Sequence, residues 1–258
     1  MIAVYREFRP GPALLPFVEC GWVRSASTVP SMRVMPDGCV DLFVTAEGDV
    51  MIAGPATTSY QMSGGSLAGL RLRPGAASAV IGAPANEFRD IRIPIDSVLG
   101  VPAGWITEIF CSTTIPSQRM ILLQGMLTSH VTGVDPSVDR PVARVIEMLR
   151  VRPDRPVSAL ADAVGFTERQ LRRRIQAAVG YGPKRLGRIF RFQHLLDLIH
   201  AAGGSVRWAE IAVAAGYSDQ SHMVNECVAL AGVTPTALPG GGLGEMSVSS
   251  NTAKDGSP

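Results

Sequence analysis

The hydrophobic rhythm of the chain changes once, near residue 116. Before it, short apolar runs at 39–45, 50–53, 67–72 and 79–81 alternate with the turn formers Pro36-Asp37-Gly38, Glu47-Gly48-Asp49, Ser63-Gly64-Gly65 and Pro74-Gly75. Runs of that length between Gly and Pro clusters read as β-strands, so residues 1–113 are expected to form a β-rich, sandwich- or barrel-like domain. From 114 to 136 the rhythm is helical: Ile121, Leu122, Met126 and Leu127 fall near helical spacing, with no break until Gly133. This connecting helix would use its apolar face either as a seam between two copies or against its own domain, and 132–137 reads as a linker. Helical periodicity then continues from 137 to 236. It starts with Val142, Val145, Ile146 and Leu149 behind an Asp139 cap and Pro141, and a second helix is expected over 157–164. The Gly/Ser/Asn-rich tail, 237–258, has too few apolar groups to order itself. The expected class is α+β: a β-rich N-terminal domain followed by an all-α domain.

Charge sharpens this division. The net charge of the 258 residues is only +2. Residues 1–136 hold 9 Arg and 11 acids (−2), whereas residues 137–236 hold 14 basic groups and 9 acids (+5). A modestly basic helical block suits a phosphate backbone. Almost all of the positive charge is Arg, since only Lys184 and Lys254 are lysines. Guanidinium can bond phosphate or guanine through two prongs, although a GC-rich genome would produce the same bias.

Other chemistries find little support. No apolar stretch approaches the roughly 20 residues of a membrane span. Glu7 and the prolines among the first 12 residues interrupt any secretory core, so a cytoplasmic protein is expected. Cys20, Cys39, Cys111 and Cys227 lie far apart, without metal-ligand spacing, and read as buried thiols. Cys39 sits near Asp37 and Asp41, which oppose thiolate formation and with it redox sensing. His130 alone in residues 1–136 argues against a histidine metal site, and no cofactor or catalytic constellation is expected. Asp37, Asp41, Arg71 and Arg73 would suit a small-molecule pocket, or equally turn capping and surface charge.

One repeat carries the functional reading. Leu160-Ala161-Asp162-Ala163-Val164-Gly165-Phe166 recurs 51 residues later as Ile211-Ala212-Val213-Ala214-Ala215-Gly216-Tyr217. In each copy a small Ala lets two helices cross closely, Gly permits a left-handed turn, and an aromatic plugs the corner. Thr167 or Ser218 is then expected to cap the next helix. That grammar describes a helix-turn-helix, present twice. In the first copy, Leu171 and Ile175 face inward, which leaves Arg169, Arg172, Arg173 and Gln176 on the outer arc, with Arg174 at the flank facing a phosphate or an acid.

These motifs, with Gly180-Tyr181-Gly182-Pro183, Ser218-Asp219-Gln220-Ser221-His222 and Gly232-Val233-Thr234-Pro235, resemble the DNA-binding domain of AraC/XylS-type transcription regulators over residues 139–235. Stretches 36–42 and 71–75 also look like the N-terminal domain of one subgroup. The resemblance implies two recognition helices reading major grooves of double-stranded DNA. It places Arg169, Arg172 and Arg173 in the first groove, and Gln220, Ser221, His222 and Asn225 in the second. The chain departs from the family where Met223, Asn225, Cys227 and Val228 replace aromatic and basic residues, and where Leu238-Pro239 replaces an aromatic-Arg pair; with charge and core volume both reduced, the alternatives for the second copy are weak binding, tolerance of many sequences, or a mainly packing role. The apolar stripe Ile189, Phe192, Leu195, Leu196, Ile199 would set the two reading helices about one duplex turn, roughly 34 Å, apart. The expected partners are DNA, a small-molecule effector, RNA polymerase and a second copy of the chain. An enzyme with a helical appendage, or an interaction module that has lost DNA recognition, are the competing readings.

Overall fold

The fold was obtained as a computed structural model, which describes residues 4–25, 31–63, 65–99, 108–134, 136–202, 207–238 and 246–247. Strands β1 (Val4–Phe8), β2 (Val18–Ser25), β4 (Val40–Val44), β5 (Val50–Ala53), β7 (Leu67–Leu72) and β8 (Arg92–Pro94) form one antiparallel sheet in the order β1-β2-β7-β4-β5-β8. A smaller sheet pairs β3 (Ser31–Val34) antiparallel with β6 (Tyr60–Ser63), and in parallel with the two-residue β9 (Met246–Ser247).

Period-two alternation decides which face each side chain takes. Val18, Val40, Leu42, Val44, Ile52, Leu70 and Leu72 point to one side of the large sheet. There they pack with Leu14, α1 (Ala77–Ile81) and the helix α3 (Pro116–Val134). Cys20, Trp22, Phe43, Ala53 and Leu67 point to the other side and meet Met32, Val34 and Met62 of the small sheet, a register shift between Val18 and Cys20 breaking the alternation within β2. Covered on both faces, β7 is buried throughout, and the Trp22 indole lies over Gly69, where a Cβ would come within 2.5 Å of the ring.

The structure corrects three details of the sequence reading. Residues 79–81 belong to helix α1: three apolar residues carry no periodicity, whereas Ala-rich Ala77–Ile81 closes on Gly82 at φ 78°. The inward face of α3 is Met120, Leu123, Leu127 and Val131, laid on the chain's own sheet, while Ile121 is 60% exposed. Cys111 is exposed, unlike the other three cysteines.

The helical part consists of α4 (Arg140–Val151), α5 (Val157–Asp162), α6 (Glu168–Val179), α7 (Pro183–Ala201), α8 (Trp208–Ala214) and α9 (Gln220–Ala231), with a short α2 (Asp96–Leu99) earlier in the chain. One continuous core joins both halves and includes Ile189, Phe192, Leu195, Leu196 and Ile199 of the α7 stripe. Asp139 caps α4 by accepting from the Val142 N–H at 3.2 Å. Of the tail expected to remain unordered, Ala237 ends a 3-10 turn, Leu238 closes the helical core and β9 pairs with β3, and the rest lies outside the described residues.

The two domains dock closely. Met35 enters the helical core, the Pro36 carbonyl accepts from Gln193 Nε2 at 2.7 Å, and Gly38 faces Leu186 and Phe190. Arg150 lies over the Phe190 ring and 3.7 Å from Glu19.

Candidate nucleic-acid interface

The two repeats fold into matching corners. Gly165 and Gly216 take φ 70° and 83°, and the following aromatics donate their N–H back into the first helix, Phe166 to Ala161 O and Tyr217 to Ala212 O. Nothing lies within 4 Å of a Cβ at Gly165, so there it is the left-handed turn and not crowding that calls for glycine. Thr167 and Gln170 form a reciprocal capping box at the start of α6. In the second copy the cap falls one residue later than expected, on Asp219, whose carboxylate accepts from the His222 N–H at 2.8 Å, while Ser218 Oγ bonds Asp219 and contacts His222 Nδ1. Asp and Ser cap about equally well, and the negative charge of Asp219 is further favoured at a helix N-terminus. These bonds hold its carboxyl below the ordinary carboxylate range.

On α6, Leu171, Ile175, Ala178 and Val179 are buried, and Arg169, Arg172, Arg173 and Gln176 form an exposed arc. Arg169 and Arg173 make no ion pair among the described residues. Arg172 is held to Glu168 at 2.7 Å, with both side chains 47% exposed. An exposed i,i+4 pair is worth only about 0.3–0.5 kcal/mol, so a phosphate or base can displace it. Arg174 stands apart: it contacts Asp139 at 2.6 Å and stacks over Phe166.

On α9, Gln220, Ser221 and Asn225 are exposed, while His222 is half-buried, bonded to Ser218 and set edge-on to Tyr217. The substituted family positions split by face. Met223 and Cys227 fill the core, and Asn225 and Val228 face outward. With four arginines and one glutamate, α6 carries net +3. Glu226 alone leaves α9 at −1, and that glutamate is paired with Arg188 of α7.

Residues 160–239 match the family model of a helix-turn-helix domain, which spans both copies. Residues 160–239 are a helix-turn-helix domain of the AraC/XylS type. The AraC-type domain follows a second matched region, residues 6–94, similar to a domain of unknown function, DUF6597. A curated relative, the probable bifunctional transcriptional activator/DNA repair enzyme AlkA of Mycobacterium tuberculosis, is 43% identical over 83 residues, which are 32% of this chain. The chain spans 16% of the length of that relative. Among solved structures, an apo ToxT variant from Vibrio cholerae strain SCE256 aligns over 91% of this chain and 94% of its own, at 12% identity and TM-score 0.43. Wild-type ToxT bound to an unsaturated fatty acid aligns over 91% and 92%, at 10% identity and TM-score 0.40.

A second constellation lies in the β domain, away from the AraC-type arc. Arg71, 1% exposed, lies 3.3 Å from Asp41, 3.4 Å from Asp37 and 3.6 Å from Glu7. Trp22 Nε1 donates to Asp41, Tyr5 Oη to Glu7 and the Cys39 N–H to Asp37. The Asp37 carboxyl is raised to about 6: burial pushes it up most, Arg71 offsets part of that, and Asp41 adds to the rise. Burial, then Asp37 and Glu19, raise the Cys39 thiol well above the usual range. Arg73 does not join this cluster; its Nε donates to Leu15 O. Among the described residues no three His, Cys, Asp or Glu side chains gather to hold a metal, and no helix is long and apolar enough to cross a membrane. A charged residue between Leu70 and Leu72 was the available sequence signal for the buried arginine.

Proposed function

We propose that this chain is a sequence-specific DNA-binding transcription regulator in which α6 is the main base-reading helix. The carrying observation is the Arg169–Arg173 pair, exposed and unpaired among the described residues on a helix whose opposite face is locked into the core. Two-pronged bonds from Arg to guanine O6 and N7 are the commonest specific base contact, worth about 1–3 kcal/mol each. Arg172 can serve either base or phosphate once released from Glu168. On α9, Gln220, Ser221 and Asn225 supply amide and hydroxyl groups suited to adenine edges or bridging water. With half-buried His222 and net negative charge, α9 contributes less affinity than α6.

In this reading the β domain carries regulatory input, from a small-molecule effector or a second copy of the chain, and the protein acts in the cytoplasm through RNA polymerase without chemistry of its own. The test is selection of duplexes from a random pool by the purified full chain, followed by titration against salt. The expected result is a defined sequence motif, bound with an affinity that falls steeply and log-linearly with salt. Recovery of no motif, or a binding constant indifferent to salt, overturns the proposal.

A further inference from the structure

Both recognition helices end on the same loop of the N-terminal domain. The last carbonyls of a helix lack intrahelical partners, and a helix C-terminus favours a nearby cation. At the end of α9 those carbonyls are satisfied from the β domain: Leu230 O accepts from the Ser59 N–H at 2.7 Å, and Ala231 O accepts from Ser59 Oγ at 2.8 Å and Arg33 Nη1 at 2.5 Å. At the end of α6, Gly180 is pressed against Pro55, so that a Cβ there would stand 2.4 Å from the proline ring, and its carbonyl accepts from Arg89 at 3.4 Å. Pro55 and Ser59 are four residues apart, at most about 14 Å of extended chain.

The loop is itself braced. Both oxygens of Asp90 hold Thr57, through its N–H at 2.6 Å and its hydroxyl at 2.8 Å. Gly54 N–H donates to Ile91 O, and Asp90 N–H to Pro55 O. Asp90 adopts φ 61°, the one non-glycine in the left-handed region among the described residues. The C-terminal halves of the two helices are therefore gripped from one rigid edge, and their N-terminal halves, which carry Arg169, Arg172, Arg173, Gln220 and Ser221, remain exposed.

We propose that the loop Gly54–Ser59, with Arg33 and Arg89, fixes the separation of the two recognition helices, so that the spacing between the two DNA segments they read is set by the N-terminal domain as well as by α7. Ser59 and Arg33 are positioning residues for the second helix. The inference rests on the DNA reading above.

The test uses the full chain and a duplex selected by it, with one base pair inserted or removed between the two protected segments. Each such change displaces one segment by about 3.4 Å and rotates it by about 34° around the duplex. The native chain is expected to lose about tenfold or more in affinity, as a base-reading helix falls out of register. In the double variant Ser59→Ala with Arg33→Met, the penalty shrinks to threefold or less, while binding to a duplex holding only the α6 segment is unchanged. Arg33→Lys, which keeps the charge and a donor, restores the penalty in a Ser59 background. Thermal unfolding of each variant identifies any that fails to fold, and in that case Ser59→Ala alone, which leaves the Ser59 N–H in place, is expected to give an intermediate penalty. A full penalty in the folded double variant, or none in the native chain, overturns the inference alone. Failure of the native chain to select any sequence overturns the DNA reading and the inference with it.

Discussion

Two glycines with nearly the same backbone conformation separate the strain of a left-handed turn from the worth of domain docking. Gly165 (φ 70°) and Gly180 (φ 91°) bracket α6, at the turn before it and at its C-cap. An L-residue in this conformation costs about 1–2 kcal/mol, and Gly165→Ala should cost no more, because nothing lies within 4 Å of the added Cβ. Gly180→Ala pays the same strain and also drives a methyl to 2.4 Å from Pro55 Cγ and 3.3 Å from the Ala85 carbonyl. The proline ring belongs to the braced loop and cannot swing aside, so overpacking adds about 1–3 kcal/mol. At about 2–4 °C per kcal/mol for a chain of this size, the midpoint of thermal unfolding should fall by roughly 2–8 °C for Gly165→Ala and by several degrees more for Gly180→Ala. Equal losses would mean that Pro55 yields freely, and the picture of a rigid docking edge would be wrong.

Two predictions concern the buried charges of the β domain. Arg71→Leu strands Asp37 and Asp41 without their counterion, and removing one partner of such a group costs about 3–5 kcal/mol, to be read as a lowered urea midpoint; a midpoint within error of the native chain would contradict the pairing. The second is a pH dependence. With the folded Asp37 carboxyl near 6 and an ordinary value when unfolded, the folded state binds more protons between those values. Stability should therefore rise as pH falls from 7 to 5, and Asp37→Asn should flatten that slope in a thermal unfolding series; a native slope of the opposite sign would sink the assignment.

The recognition corners were legible because local chemistry specifies them. Gly165 and Gly216 need no distant partner to adopt a left-handed turn, and Leu171 and Ile175 define the buried face of α6 by spacing alone. Strands β5 and β7 were equally plain, since apolar runs between turn formers declare their own ends. β2 was missed because a strand covered on both faces loses its alternation, and Glu19, Gly21 and Arg24 break the apolar run. The depth of Arg71 depends on carboxylates contributed by other strands and turns. Docking was invisible for the same reason: Ser59 and Arg33 meet the end of α9 across 172 and 198 residues of sequence, and no periodicity reports such a contact.

The central claim is that the exposed guanidinium arc of α6 reads bases. It is tested most directly by the affinities of Arg169→Ala/Arg173→Ala and of the native chain for a selected duplex and a scrambled one, across a range of salt. Loss of two base contacts should cut the ratio of specific to nonspecific binding by about fivefold or more per residue. The nonspecific salt slope should fall by no more than about 2, the share of two phosphate contacts. An unchanged ratio, with both duplexes weakened alike, would show that these arginines hold only the backbone and would contradict the account.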